Sequence, residues 1–299
     1  MVRRVLSLPS GRIAVGLLVL IALLAALGPV LAPQDPLATS DNTLASVSWS
    51  HWLGTDYLGR DTFSRLLDGS RVSVLASLEV ALVALGVGAV PGILSVYLGR
   101  VFEWGTLRLA DTLVALPFLL FAVAVTALLG NGLTQAMLVT GVLVSPLFYR
   151  VSRAATLAVA RSQYVEAAII SGASVGWVVR RHVWAKVLPP IAIALAQTIG
   201  VGFIIVSSLT FLGIGVQPPA PTWGGLLASD LGYLDYQPWA PLAPAILIML
   251  TVWASNLLAD TIRDVSGEAG RAFVTHRRDV RSAHDASDQN ATAHSGGAR

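Results

Sequence analysis

The sequence predicts an all-α membrane protein, a bundle of about six transmembrane helices with both termini in the cytoplasm. Three observations predict it. Of 299 residues, 55% are hydrophobic and 12% charged, about half the charge of a typical soluble domain. The apolar residues form long runs of Leu, Val, Ala, Ile and Gly, not the roughly ten-residue alternating segments of an outer-membrane barrel. The basic residues gather on one set of connections, which sets the orientation.

Roughly 20 apolar residues cross a 30 Å hydrocarbon core. On that measure, crossings fall at 13–32, 72–98, 108–129, 133–150, 188–213 and 241–262. The first follows Arg3, Arg4 and Arg12 but is longer than a signal-peptide core and lacks a small-residue cleavage site, so it is retained. Pro91, Pro117 and Pro146 are expected to kink their helices. With the N-terminus inside, the inner segments hold Arg100, Arg108, Arg150, Arg153, Arg161, Arg180, Arg181, Lys186 and Arg263, while the outer ones keep Arg60, Arg65 and Arg71.

This divides the chain into a cytoplasmic N-terminus (1–12), a transmembrane domain (13–266) and a polar tail (267–299). The tail buries too little apolar surface to order itself and is expected to be disordered and cytoplasmic. Within the membrane domain lie an external segment (33–71), a tight outer turn at Gly130 to Gly132, an inner loop (151–187) and an external loop (214–240). Cysteine is absent and the five histidines lack ligand spacing, so neither a disulfide framework nor a thiolate metal site can form. No phosphate-binding G-x-x-x-x-G-K-[ST] loop and no H-E-x-x-H pair occurs.

The inner loop carries its own helical pattern. Val165, Ala168, Ile169 and Gly172 recur at i, i+3, i+4 and i+7, a small-to-apolar stripe that another protein could grip, with Ser162 and Glu166 turned away. The alternative is an amphipathic helix resting on the membrane, with Arg180 and Arg181 drawn to anionic lipid. Glu166, Ala167, Ala168 and Gly172 together resemble the E-A-A-x-x-x-G signature of permease subunits of binding-protein-dependent ABC importers. The resemblance implies a type I importer fold and a coupling helix docked on an ATPase. Where that family usually continues with Leu-Pro, this chain has Trp184 and Ala185, its nearest pair being Leu188 and Pro189.

Two external stretches narrow the resemblance. HWLGTDYLGRDTFSRLLDGSRVSV, from His51 to Val74, and SSLTFLGIGVQPPAPTWGG, from Ser207 to Gly225, resemble the C-type permeases of dipeptide, oligopeptide and nickel importers. The resemblance implies an external gate or binding-protein docking surface at Asp56, Arg60, Asp61, Arg65, Gln217 and Trp223. The four charges could pair locally against the outer mouth, or form a solvated cap. Trp223, Tyr233, Tyr236 and Trp239 read more readily as an interfacial aromatic belt than as ligand contacts.

Glu79 and Asp111 fall in or beside apolar runs, where an unpaired carboxylate is costly. Both are candidates for the translocation path, although Asp111 could instead pair with Arg108 one turn away. The resemblance implies import of dipeptides or oligopeptides by alternating access at the bacterial plasma (inner) membrane, with nickel complexes or glutathione as alternative cargoes. It implies a second, homologous permease forming a heterodimer, two ATPase subunits or domains holding ATP and Mg, and an extracytoplasmic solute-binding protein. This chain would be non-catalytic, bind no cofactor, metal or nucleic acid, and contact lipid. An ATP-independent secondary carrier is the competing reading, for which internal repeats and intramembrane charge relays would be expected.

Overall fold

The computed structural model describes the backbone of residues 2–172, 174–178 and 183–295, without the side chains at 164, 166, 167, 169, 175 and from 268 onward. The helices are α1 (Val2–Val5), α2 (Pro9–Leu31), α3 (Thr62–Leu94), α4 (Arg100–Ala115), α5 (Phe118–Leu128), α6 (Leu133–Ala160), α7 (Gln163–Ile170), α8 (Val175–Val178), α9 (Trp184–Phe211), α10 (Trp223–Asp230) and α11 (Trp239–Ser295). Among the described residues there is no β-strand, only an isolated bridge between Thr55 and Asp61. Five helices (α2, α3, α6, α9 and the Trp239–Gly267 part of α11) are long and apolar enough to cross a membrane. The pair α4 and α5 together makes a sixth candidate span.

That sixth span departs from the single helix expected over 108–129, because α4 and α5 meet at 98°. Pro117 has no N–H to donate and disfavours helical backbone at the residue before it, and Leu116 is extended (φ −72°, ψ 138°). Helix α3 begins ten residues earlier than the apolar run at 72, because Asp61 caps it: its Oδ2 accepts from Ser64 N (2.8 Å) and Ser64 Oγ (2.6 Å). Helix α6 likewise runs on to Ala160, so the inner loop is shorter than 151–187. The tail expected to be disordered falls largely on side chains outside the described residues.

Small residues let the central helices touch. A Cβ at Gly88 would strike Ser145 O and Phe148 Cβ, and one at Gly92 would strike Ser152 Oγ and Tyr149 O. With Ala81, Ala84 and Gly141 they form the tight α3–α6 seam, the usual device where lipid supplies no hydrophobic drive for helix association. Helix α9 packs against α3 and α11, and α2 against α3 and α11. One end of the bundle therefore gathers the start of α3, the end of α9 and α10. The opposite end gathers the ends of α3 and α6 with α7, α8 and the start of α9.

Candidate functional site

The site at the α3 start is built from charges that burial has forced into partnership. Asp56, Arg60, Asp61 and Arg65 are exposed by only 4%, 4%, 2% and 5%, so the solvated-cap alternative fails. Gly59, at φ +73°, lets residues 56–60 fold into a tight loop. There Asp56 Oδ1 accepts from Leu58 N (2.9 Å) and Arg60 N (3.0 Å). Its Oδ2 accepts from Arg60 Nε (2.7 Å) and lies 3.5 Å from Arg65 Nε. Arg65 Nη1 donates to Pro36 O (3.1 Å) and Pro219 O (3.5 Å), tying α3 to both flanking segments. Asp61, besides capping α3, meets His51 Nδ1 at 3.0 Å.

The 212–238 loop closes over this cluster. Trp223 is wholly buried, with its amide donating to Ser73 Oγ (3.0 Å), its indole N–H to Leu66 O (3.2 Å), and its ring 5.7 Å from that of Phe203. This corrects its assignment to an aromatic belt or an exposed contact surface: Trp223 is the anchor of α10 in the core. Tyr236 and Trp239 are exposed as a belt requires, whereas Tyr233 is half-buried and stacks on Tyr57 at 5.4 Å. Gln217 is exposed.

Two residues here escaped the sequence reading. Gln237 is buried and donates to Ala45 O, clamping the external segment to the loop. Asp230, at the C-terminus of α10, is 3% exposed, and burial pushes its carboxyl up to about 6. The adjacent Asp56 raises it further, against the opposing pull of the Ser229 hydroxyl, Arg65 and Arg60. Its Oδ1 accepts from Ser229 (2.9 Å), while its buried Oδ2 has no hydrogen-bond partner among the described residues. Nothing in the local sequence distinguishes this aspartate, since its surroundings come from residues far along the chain.

At the other end, α7 reverses the orientation expected of its stripe. Val165 is fully buried in an apolar cluster with Ile93, Phe148, Val159, Val178, Val183, Val187 and Ile191, and Ala168 packs against the same cluster. The stripe thus holds α7 to its own bundle and leaves the opposite side outward, where Gln163 and Ile170 are exposed. Gly172, at φ +86° and exposed, turns the chain from α7 toward α8. The side chains of Glu166 and Ala167, and Arg180 and Arg181 entirely, lie outside the described residues. Gly172 to Gly176 also spells the serine-nucleophile motif G-x-S-x-G, which requires a strand-to-helix turn. Here Ser174 precedes the four-residue α8 and accepts from Trp177 N (3.3 Å), with no strand before it among the described residues.

The two intramembrane carboxylates part company. Asp111 pairs with Arg150 on α6 (2.8 Å) instead of Arg108, and both are about half exposed. Glu103 pairs with Arg153, and Thr106 Oγ1 lies 2.9 Å from Tyr149 OH, so α4 is laced to α6 by three polar contacts. Glu79 is half-buried and has no hydrogen bond or ion pair among the described residues.

Comparison with known proteins accords with this geometry. Residues 84–268 match the family described as the inner membrane component of binding-protein-dependent transport systems. The chain is 36% identical over 217 residues to the glutathione transport system permease protein GsiD of Pectobacterium atrosepticum, covering 73% of this chain and 72% of that one. It is 36% identical over 250 residues to the probable D,D-dipeptide transport system permease protein DdpC of Escherichia coli K12, covering 83% and 84%. Among solved structures, the inward-facing MetNI methionine ABC transporter matches 67% of this chain and 96% of the matched chain, with a TM-score of 0.55 at 18% identity, a likeness of fold. The matched region takes in α7 and the whole α3–α6 seam from Ala84 onward, and with it the chain belongs to the binding-protein-dependent ABC importer permeases of the inner membrane.

Proposed function

We propose that this chain is one half of the membrane channel of an ATP-driven importer that carries short peptides into the cytoplasm. The family match across 84–268 carries the reading. The excess of basic residues on one set of connections supports a cytoplasmic α7 and α8 and an external Asp56–Arg65 cluster. On this reading α7 docks on a partner ATPase that holds ATP and Mg, and Glu166, Ala167, Ala168 and Gly172 lie at the contact. Val165, packed among Ile93, Val159 and Val187, transmits the movement of α7 to the ends of α3, α6 and α9. Because packed helices are bistable and not continuously deformable, a small displacement there can switch the cavity between outward and inward access. A solute-binding protein delivers cargo at the other end, where Gln217 is exposed above the buried charge cluster. A second, related permease completes the cavity, and Glu79 faces it.

Glutathione, itself a small peptide, is the second cargo reading, favoured by the GsiD relative. Reconstitution of this chain with its neighbouring permease, ATPase and binding protein, followed by a screen of dipeptides, oligopeptides, glutathione and nickel complexes, decides between them. ATP-dependent uptake of a peptide is expected. Uptake driven by an ion gradient without the ATPase would refute the proposal.

A further inference from the structure

A cavity of about 270 Å³ lies between the buried charge cluster, the 213–222 loop and α10, with Tyr57, Arg60, Arg65, Phe211, Ala228 and Ser229 in its lining. Its free hydrogen-bonding capacity is one-sided. Three lining hydroxyls are committed within the protein: Thr210 Oγ1 donates to Val206 O, Thr222 Oγ1 accepts from Gly225 N, and Ser229 Oγ bonds Leu226 O and Asp230, whereas the Tyr57 hydroxyl has no hydrogen bond among the described residues. The guanidiniums are committed only in part, Arg65 through Nη1 to Pro36 O and Pro219 O. Arg65 Nε is buried 3.5 Å from Asp56 Oδ2 and makes no hydrogen bond among the described residues. Arg60 uses its Nε on Asp56, and among the described residues neither of its Nη groups has an acceptor. A buried guanidinium donor without an acceptor carries a desolvation cost that an anion entering the cavity would relieve.

Charge count and shape select the anion. Arg60 and Arg65 act on Asp56 and Asp230, while Asp61 is engaged by the α3 cap and by His51, so this foursome is neutral with Asp230 ionised and carries one positive charge with Asp230 protonated. With Asp230 protonated it balances a single negative charge, which disfavours a phosphate dianion. The apolar part of the wall, Phe211, Val216, Pro218, Pro221 and Leu226, suits a small aliphatic substituent. We propose that this cavity binds the carboxylate of a small organic acid through Arg60 and Arg65. In this importer that acid is the C-terminal residue of a short peptide, a step that rests on the proposed cargo, whereas carboxylate binding itself does not.

The test uses the assembled transporter in nanodiscs without its binding protein, and N-acetylalanine as the probe in equilibrium dialysis, with N-acetylalanine amide as the uncharged comparison. Saturable binding of the acid is expected, weaker by roughly tenfold or more for the amide, which lacks the charge-assisted bonds. Arg60→Gln should weaken the acid by a similar factor. Ala228→Glu, which leaves Arg60 and Asp56 in place and offers a tethered carboxylate, should block it even if the first variant fails to assemble. Equal binding of acid and amide, no effect of Ala228→Glu in an intact complex, or binding that needs the binding protein would each overturn the site. If the acid binds as described but peptides are not imported, the cargo reading fails and the site stands.

Discussion

Replacing Asp230 with Asn isolates one unfavourable charge. Asp230 is 3% exposed, and burial raises its carboxyl from 3.8 to about 6. Two units at about 1.4 kcal/mol each amount to about 3 kcal/mol. The sign follows from linkage: between pH 4 and 6 the folded chain holds a proton that the unfolded chain has released, so stability falls as pH rises through that window. Above it the whole penalty is present, and below it the penalty vanishes. Asn removes the charge but leaves a buried N–H where Oδ2 has no partner, a cost of about 1 kcal/mol. The variant should therefore be more stable than the parent by about 2 kcal/mol at pH 8, with the advantage gone or slightly reversed at pH 4. Thermal unfolding of parent and variant side by side across pH 4–8 measures it, since the two chains differ at this one group. A variant equal to or less stable than the parent at pH 8, or a difference that does not change with pH, refutes the reasoning.

Four other perturbations probe separate links. Gly172→Val forces a β-branched residue to φ +86° at a cost of about 1–3 kcal/mol. With open space around it, the damage should stay in the α7–α8 turn, reducing ATPase co-purification while membrane insertion is unchanged. Gly92→Val drives a side chain into Ser152 Oγ and the Tyr149 backbone, and should lower the yield of folded protein in size-exclusion chromatography by several-fold. Val165→Asp places a charge in the cluster that anchors α7, so ATP hydrolysis should continue while uptake falls, measured on the same proteoliposomes. Asp111→Asn removes a half-exposed ion pair with Arg150 and should change stability by less than about 1 kcal/mol; a loss of uptake at unchanged stability would support a place for Asp111 on the translocation path.

Hydropathy reports how apolar a segment is, and lipid and protein interior are equally apolar, so it locates crossings without saying what each face meets. Five spans and the bent α4–α5 pair, a sixth candidate, were legible for that reason, and the faces were not. Val165 and Ala168 make the same stripe whether α7 turns toward its own bundle or toward a partner, and only the three-dimensional position of Ile93, Val183 and Val187 chooses between them. Trp223 shows the same ambiguity: an indole beside prolines in a loop reads as a belt residue until Ser73 and Leu66, some 150 residues away in sequence, receive its two N–H groups.

Local constraints fared better. Pro117 marked its own helix break, although the size of the bend depends on how α5 packs against α6. The Asp56–Arg60 pair and the Asp61 cap lie within four residues of their partners, so spacing alone could suggest both. What spacing could not supply was their burial. A buried carboxylate with local partners is tolerable by itself, but burying Arg60 and Arg65 over a single shared aspartate is not locally balanced. The balance comes from Pro36, Pro219 and Asp230, brought in by two distant segments. The charge cluster can therefore form only once the external segment and the 212–238 loop have closed on α3, and in that closed arrangement neither Arg60 Nη nor Arg65 Nε makes a hydrogen bond among the described residues, Arg65 Nε standing 3.5 Å from Asp56 Oδ2.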